Sequence, residues 1–156
     1  MITCTFEEGQ KTSLRHAVVD AVVIKDSQIL LVKRTGKLLE GGKWALAGGF
    51  VERDETVSQA AKREILEETG WTTKDLYVLM INSNPNRPKE DRQNISFVFA
   101  CTADEKTGQS DWESDEVKWF SFSGLPPAEE IAFDHLDYIN FYLKSQSEAI
   151  ELPQLI

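Results

Sequence analysis

Three glutamates near the end of one predicted helix constrain this 156-residue chain more than any other feature of its sequence. In the stretch AAKREILEETGW, residues 60 to 71, the spacing of Glu64, Glu67 and Glu68 places their carboxylates on one face, because each helical residue advances about 100°. Gly70 is predicted to end the helix, so the acids crowd its last turn, where the helix dipole and their mutual repulsion are both unfavourable. Either this face is merely solvated, or it binds a cation.

The segments around this helix predict a mixed sheet. The helix itself is predicted to begin at Thr56, which forms a capping box with Gln59. Apolar runs at 16–24 and 29–34 predict two strands joined by a hairpin-type turn, and the glycine-rich segment 36–50 predicts a loop, a short strand and a tight turn. Further expectations are an edge segment or arm at 1–15, strands at 75–82, 95–103 and 116–121, and a second helix at 129–145. This order predicts one domain, residues 1–156, with a mixed sheet and helices on its faces.

Composition excludes some classes of function. A net charge of −9 and a pI near 4.7 argue against a nucleic-acid-binding protein, which needs clustered Lys and Arg to meet phosphate. The apolar runs are too short to span a bilayer and no leader opens the sequence, so we expect a cytoplasmic protein that makes no membrane contact. Cys4 and Cys101 match no metal-ligand spacing and are expected to stay reduced.

The spacing of residues before the acidic helix carries a family resemblance. Five residues separate Gly49 from Glu55, and seven more separate Glu55 from Arg63, which precedes the three glutamates, Gly70 and Trp71. This pattern resembles the Nudix hydrolase family, whose box is G-x5-E-x7-R-E-U-x-E-E-x-G-U, with U a bulky apolar residue. The resemblance implies an α/β (α+β) fold, an α/β/α sandwich with a mixed β-sheet between helices. One departure is Ala47, where the family commonly has Pro.

The resemblance also assigns roles within the box. It implies that Glu64, Glu67 and Glu68 bind a divalent metal, with a main-chain carbonyl near Gly48 or Gly49 as a further ligand. The chemistry agrees, because Mg²⁺ prefers carboxylate oxygens and would offset the repulsion between the acids. Mg²⁺ is therefore the expected cofactor, with Mn²⁺ as an alternative. Glu55 and Arg63 resemble the ion pair that orients the loop beside the metal, and Gly48 and Gly49 would let the backbone turn tightly there.

The general base is left open between two regions. Glu68 is one candidate, because box glutamates can lie close to the attacking water. In many family members the base comes instead from a late loop, and here the acidic segment 104–116 offers Glu113 and Glu116, which we place ahead of Asp115.

The expected substrate is a nucleoside diphosphate linked to another moiety. Pro85, fourteen residues after Trp71, and the segment that follows it resemble the ADP-ribose pyrophosphatase branch, which releases AMP and ribose 5-phosphate. One alternative is a nucleoside triphosphate pyrophosphohydrolase that releases NMP and pyrophosphate. Another is a non-catalytic nucleotide-sensing module, although all box glutamates are present.

Three arginines are candidates to bind the substrate. The side chains of Arg34, Arg87 and Arg92 carry planar sets of donors that suit phosphate and ribose oxygens. His16 and His135 are predicted to be structural or surface residues rather than ligands. The partner is therefore expected to be a small nucleotide rather than a nucleic acid, and the family resemblance implies a homodimer.

Overall fold

The computed structural model describes residues 2–89 and 92–156. Within them ten strands and two α-helices are found. The strands are β1 (Ile2–Thr5), β2 (Lys11–Leu14), β3 (Ala17–Lys25), β4 (Gln28–Arg34), β5 (Trp44–Ala45), β6 (Ala47–Phe50), β7 (Trp71–Asn82), β8 (Ile95–Lys106), β9 (Ser114–Ser121) and β10 (Gln154–Leu155). The helices are α1 (Val57–Thr69) and α2 (His135–Ser147), and short 3-10 turns occupy Phe122–Gly124 and Ala128–Glu130.

Strand β3 is the centre of the mixed sheet. It pairs in parallel with β8 along one edge, and its other edge is divided between two antiparallel partners. Residues 18–21 pair with β6, whereas residues 23–25 pair with β4, which also pairs with β5 and β9. Strand β7 joins the far side of β8, and β10 lies beside β7. Strand β5, which is followed directly by β6, connects these two partners through its pairing with β4.

The two helices cover opposite faces of this sheet. Side chains alternate between faces along a strand, so the neighbours Val22 and Val23 belong to different cores. Val23 packs in the cluster that contains Ile65 of α1, whereas Val22 packs in the cluster that contains Tyr138 and Ile139 of α2. The expected α/β/α sandwich is therefore confirmed.

Helix α1 has the predicted ends. The side chain of Thr56 accepts a hydrogen bond from the Gln59 amide while Gln59 bonds back, which completes the capping box. Gly70 ends the helix with a φ of 72°, and its amide donates to the Leu66 carbonyl at 2.8 Å. Residues 2–14 form a separate two-stranded antiparallel sheet of β1 and β2, the expected arm. No helix in the described part of the chain is long and apolar enough to cross a membrane.

The predicted second helix was wrong in its first part. Helix α2 begins at His135 rather than at residue 129. Before it, Ile131 forms a parallel bridge with Trp44, and the amide of Ala132 donates to the Trp44 carbonyl at 2.8 Å. Phe133 then adopts a φ of 52°, in the left-handed region, which ends any helical path there. Pairing with β5 thus overrides the local helical pattern.

Candidate functional site

A cavity of about 470 Å³ opens between β3, β4 and β6, beside the end of α1. Gly48, Gly49 and acidic residues of α1 form one part of its lining, the box wall, and arginines from distant parts of the chain form another, the arginine wall. Most of the residues predicted from the sequence to form the site therefore meet here. The exceptions are Glu55, Glu68 and Glu116, which do not line the cavity.

Two of the box glutamates lie against the glycine pair. The Glu68 carboxylate is buried and accepts a hydrogen bond from the Gly48 amide at 3.0 Å. The Glu64 carboxylate occupies the space that a Cβ atom on Gly49 would need, so only glycine allows this approach. Burial raises the pKa of Glu68 well above its ordinary value, and it raises that of Glu64 as well. Both acids are therefore held where a positive charge would stabilise them.

The third box glutamate, Glu67, lines the cavity and contacts Arg63. The Glu67 side chain is half exposed, and its Oε2 accepts a hydrogen bond from Arg63 Nη1 at 3.0 Å. The same Arg63 nitrogen lies 2.9 Å from Glu64 Oε1, and Arg63 Nη2 donates to Glu55 Oε1 at 2.7 Å. Arg63 also donates to the Phe50 carbonyl at 3.0 Å. Arg63 thus joins the helix to the loop and offsets part of the repulsion that the sequence predicted.

The donor set fits a hard divalent cation. Carboxylate oxygens of Glu64 and Glu68 converge on the backbone of Gly48 and Gly49, and such oxygens are what Mg²⁺ and Mn²⁺ prefer. In residues 2–89 and 92–156 no group of three or more acidic, His or Cys side chains already surrounds one point. Arg63 Nη1 bonds to the carboxylates of both Glu64 and Glu67, at 2.9 and 3.0 Å, so a guanidinium charge already lies between these two acids.

The loop between β8 and β9, residues 107–113 and here called the late loop, contacts the end of α1 and brings one predicted acid to the cavity. The Gly70 carbonyl accepts bonds from the amides of Thr107 and Gly108, at 2.9 and 3.1 Å, and the Glu67 carbonyl accepts one from Asp111 at 2.9 Å. Asp111 and the following Glu113 both line the cavity. The loop therefore satisfies carbonyls of the last helical turn while it places acids opposite that turn.

The two late acids favoured by the sequence lie in different places. The Glu113 carbonyl accepts a bond from Thr35 at 2.9 Å, which fixes this residue beside Arg34. Glu116 lies opposite Lys33 in the pairing of β9 with β4 and is exposed, as is Asp115. Glu113 therefore faces the cavity, and Glu116 does not.

All three predicted arginines line the cavity, in different environments. Arg34 is partly buried, donates to the Leu39 carbonyl at 2.9 Å and lies over the Phe133 ring at 5.2 Å. Burial lowers the pKa of Arg34, while the nearby Glu68 and Glu113 act in the opposite direction.

The other two arginines differ from Arg34 and from each other. Arg87 is buried, and its guanidinium donates to both carboxylate oxygens of Asp134, at 2.8 and 2.7 Å. Arg92 is exposed at the mouth and lies over the Phe50 ring at 5.8 Å.

Several residues of the cavity were not found from the sequence. Phe50 and Phe133 contribute rings, and His135 is buried, accepts from the Leu46 amide at Nδ1 and lies 3.3 Å from Asp20 through Nε2. Burial acts to raise the pKa of Asp20, but His135, Arg87 and Ser96 together hold it below its ordinary value. A charged residue inside the apolar run AVVDAVVI was the available signal, because a buried charge needs partners.

Comparison with known proteins agrees with this geometry. The NUDIX domain family model matches residues 14–140. The chain is 38% identical to an ADP-ribose pyrophosphatase of Methanocaldococcus jannaschii over 127 residues, which cover 81% of this chain and 72% of that protein. It is 33% identical to an oxidized purine nucleoside triphosphate hydrolase of Danio rerio, over 69% of this chain and 73% of that protein.

A solved structure adds information on bound groups. A bifunctional NMN adenylyltransferase/ADP ribose pyrophosphatase from Francisella tularensis, complexed with AMP and a manganese ion, superposes with a TM-score of 0.68 at 27% identity. The match covers 86% of this chain and 42% of that one. The match of the family model to most of the chain, together with the fold and the box, shows that this protein belongs to the Nudix family of hydrolases that act on acid anhydrides.

Proposed function

We propose that this protein hydrolyses ADP-ribose, or a closely related nucleoside diphosphate derivative, to AMP and a sugar phosphate. The observation that carries the proposal is that one cavity is lined by Arg34, Arg87 and Arg92 together with Gly48, Gly49 and Glu64 of the box. A diphosphate in this cavity meets guanidinium donors and a cation held by the box carboxylates. The similarity to ADP-ribose pyrophosphatases supports the same substrate.

The cavity suits a nucleotide in size as well as in charge. Its volume of about 470 Å³ lies within the range of small-molecule sites. Phe50 is 43% exposed at the mouth beside Arg92, and this ring offers a flat apolar surface on which a nucleobase can stack. Although the whole chain carries a net charge of −9, the local arginines can attract an anionic substrate into the cavity.

Glu64, Glu68 and the Gly48 carbonyl are the residues proposed to hold the divalent metal, with Glu67 joining them from the edge of the site. When bound, Mg²⁺ or Mn²⁺ would neutralise phosphate charge and lower the pKa of water. The structure of the F. tularensis relative, which contains manganese, supports a divalent ion of this type. Arg63 and Glu55 hold the loop that carries the glycine pair, because Arg63 bonds to both Glu55 and the Phe50 carbonyl.

Glu113 is the proposed general base. It lines the cavity near Arg34 and Glu64, whereas Glu116 is exposed on β9. Glu68 is a weaker candidate in this arrangement, because its carboxylate is buried and already accepts the Gly48 amide. Glu113 would take a proton from the attacking water while Arg34, beside it, meets the developing negative charge.

A product assay over a panel of substrates tests this proposal. Purified protein with Mg²⁺ is given ADP-ribose, other nucleoside diphosphate sugars and nucleoside triphosphates, and the products are separated by chromatography. AMP with ribose 5-phosphate is the expected result, and EDTA should abolish it. Hydrolysis of none of these compounds, in protein that melts cooperatively, would contradict the proposal.

A second candidate is a nucleoside triphosphate pyrophosphohydrolase. The 33% identity to the D. rerio hydrolase favours it, because that relative covers a similar share of the chain. NMP and pyrophosphate formed from a triphosphate, at a higher kcat/KM than AMP from ADP-ribose, would select this activity instead.

A further inference from the structure

The buried ion pair between Arg87 and Asp134 sits in a wall between two cavities. Arg87 lines both the main cavity and a second one of about 290 Å³, while Asp134 lines only the second. Besides the two bonds from Arg87, Asp134 accepts bonds from Asn82 Nδ2 and the Tyr138 hydroxyl, both at 3.1 Å. Asn82 and Tyr138 thus fix the Asp134 carboxylate, and its paired bonds fix the plane of the Arg87 guanidinium.

The next residue acts on the strand that carries the glycine pair. His135 Nδ1 accepts the amide proton of Leu46, two residues before Gly48, at 2.9 Å. Because Nδ1 is an acceptor, a neutral ring carries its proton on Nε2, which faces Asp20 Oδ1 at 3.3 Å. Both ring nitrogens are engaged, so His135 holds the strand that leads into the glycine pair rather than transferring protons.

The preceding residue contacts a second arginine. Phe133 keeps its ring beneath the Arg34 guanidinium at 5.2 Å, and it does so with a φ of 52°. A non-glycine residue adopts this region only where its surroundings determine it, and such residues concentrate at functional sites. The bridge between Ile131 and Trp44 anchors the turn on which this conformation depends.

We propose that Phe133, Asp134 and His135 form one positioning segment that sets the geometry of the substrate cavity. Each of the three contacts a different part of the site: Arg34, Arg87 and the strand that enters Gly48. The segment thereby holds the phosphate-facing arginines and the metal-facing backbone at a constant separation. This inference rests on the proposed function in one respect, namely that the arginines meet the diphosphate of the substrate.

We expect Asp134 and His135 of this segment to have different kinetic effects. Asp134 acts through Arg87 and should affect binding of the diphosphate, whereas His135 acts through Leu46 and should affect kcat. A residue that only stabilises the fold would change neither the affinity of the folded protein nor the ratio between kcat and KM.

A double-mutant cycle on Arg87→Lys and Asp134→Asn tests the first arm, with ADP in metal-free buffer as the probe and NMR titration as the readout. Asn cannot receive the paired bonds from the guanidinium, so each single variant should raise the Kd for ADP roughly tenfold. The Kd of the double variant for ADP should be no higher than that of the weaker-binding single variant, because both substitutions disrupt the same Arg87–Asp134 pair. Asn140→Ala, on the exposed side of α2, is the control and should leave the Kd unchanged.

The second arm uses two substitutions of His135. The amide oxygen of Asn can replace Nδ1 and accept from Leu46, whereas the longer Gln reaches toward Asp20 instead. His135→Gln should speed hydrogen exchange of the Leu46 amide and lower kcat roughly fivefold with little change in KM, and His135→Asn should retain most of both properties. If Asp134→Asn does not fold, the two His135 variants still test the role of the segment.

Two outcomes would overturn the inference. The first is an additive cycle, or unchanged ADP affinity in folded Asp134→Asn protein. The second is equal kcat for the two His135 variants. Absence of hydrolysis in the unmodified protein would instead count against the proposed function, since the ADP titration and the Leu46 exchange rate need no turnover.

Discussion

The two walls of the cavity are built in different ways. The wall formed by the box draws on residues 48 to 68, and its contacts are short in sequence, such as Arg63 to Glu55 and Gly48 to Glu68. The arginine wall depends on distant segments, since Arg87 and its partner Asp134 are 47 positions apart in the sequence. A local motif thus supplies the acids, and the tertiary fold assembles the arginines around the same cavity.

The two walls should therefore respond differently to substitution. Box residues are tied to one helix and one loop, so their removal should abolish chemistry while the arginine wall keeps its shape. Arginine-wall residues act on an anion already held by several groups, so losing one donor should have a smaller effect.

The buried box acids should be the most sensitive positions. Glu64→Gln and Glu68→Gln should each lower kcat by roughly 10³-fold, because each removes a charge that the metal site needs. Glu67→Gln should cost less, since Glu67 is half exposed and held by Arg63. AMP release at saturating substrate and Mg²⁺ measures the effect. If Glu67→Gln lowers kcat more than the other two substitutions do, the box carboxylates rearrange when the metal binds.

The late loop belongs to the box wall in space although not in sequence. Glu113→Gln should lower kcat by roughly 10²-fold, the usual contribution of a general base. Glu116→Gln is the matched control, because this exposed residue on β9 should leave kcat within about twofold. Equal losses in both variants would place the base elsewhere, and Glu68 would be tested next.

Gly70 links the two halves of the box wall. A Cβ atom there would overlap the Gly108 carbonyl of the late loop, and a φ of 72° adds a backbone cost of about 1–3 kcal/mol. Gly70→Ala should therefore lower stability and also reduce kcat roughly tenfold by displacing the loop that carries Glu113.

The control for Gly70 is Gly9, in the turn between β1 and β2. Its φ of 84° is similar, but nothing lies within 4 Å of the added Cβ. Gly9→Ala should therefore show the backbone cost in thermal melting without any loss of kcat. If Gly70→Ala behaves like Gly9→Ala in both measurements, the approach of Gly108 has no role in catalysis.

The smallest effects are expected at Arg34 and Arg92 of the arginine wall. Arg34→Lys should raise KM roughly fivefold, because Lys lacks the planar fork and this site is partly buried beside Glu113. Arg92→Lys should raise KM by about twofold, since Arg92 is exposed and screened by water. Initial rates over a range of substrate concentrations separate the two. A larger effect at Arg92 than at Arg34 would place the diphosphate nearer the mouth.

The ends of α1 and the identity of the box were predictable because they depend on neighbours in sequence. Thr56 with Gln59 marked the start of the helix and Gly70 its end, and the alternating apolar runs marked the strands. The second helix was placed too early at 129, because pairing of Ile131 with Trp44 competes with helix formation and is invisible locally.

The acidic face, its spacing from Gly49 and the family can be read from the chain alone, since they follow from helical periodicity and from contacts over short separations. The folded structure was needed to show which acids are buried, that Glu113 rather than Glu116 lines the cavity, and that Phe133, Asp134 and His135 contact Arg34, Arg87 and Leu46. These features depend on contacts between segments far apart in sequence, which no local pattern encodes.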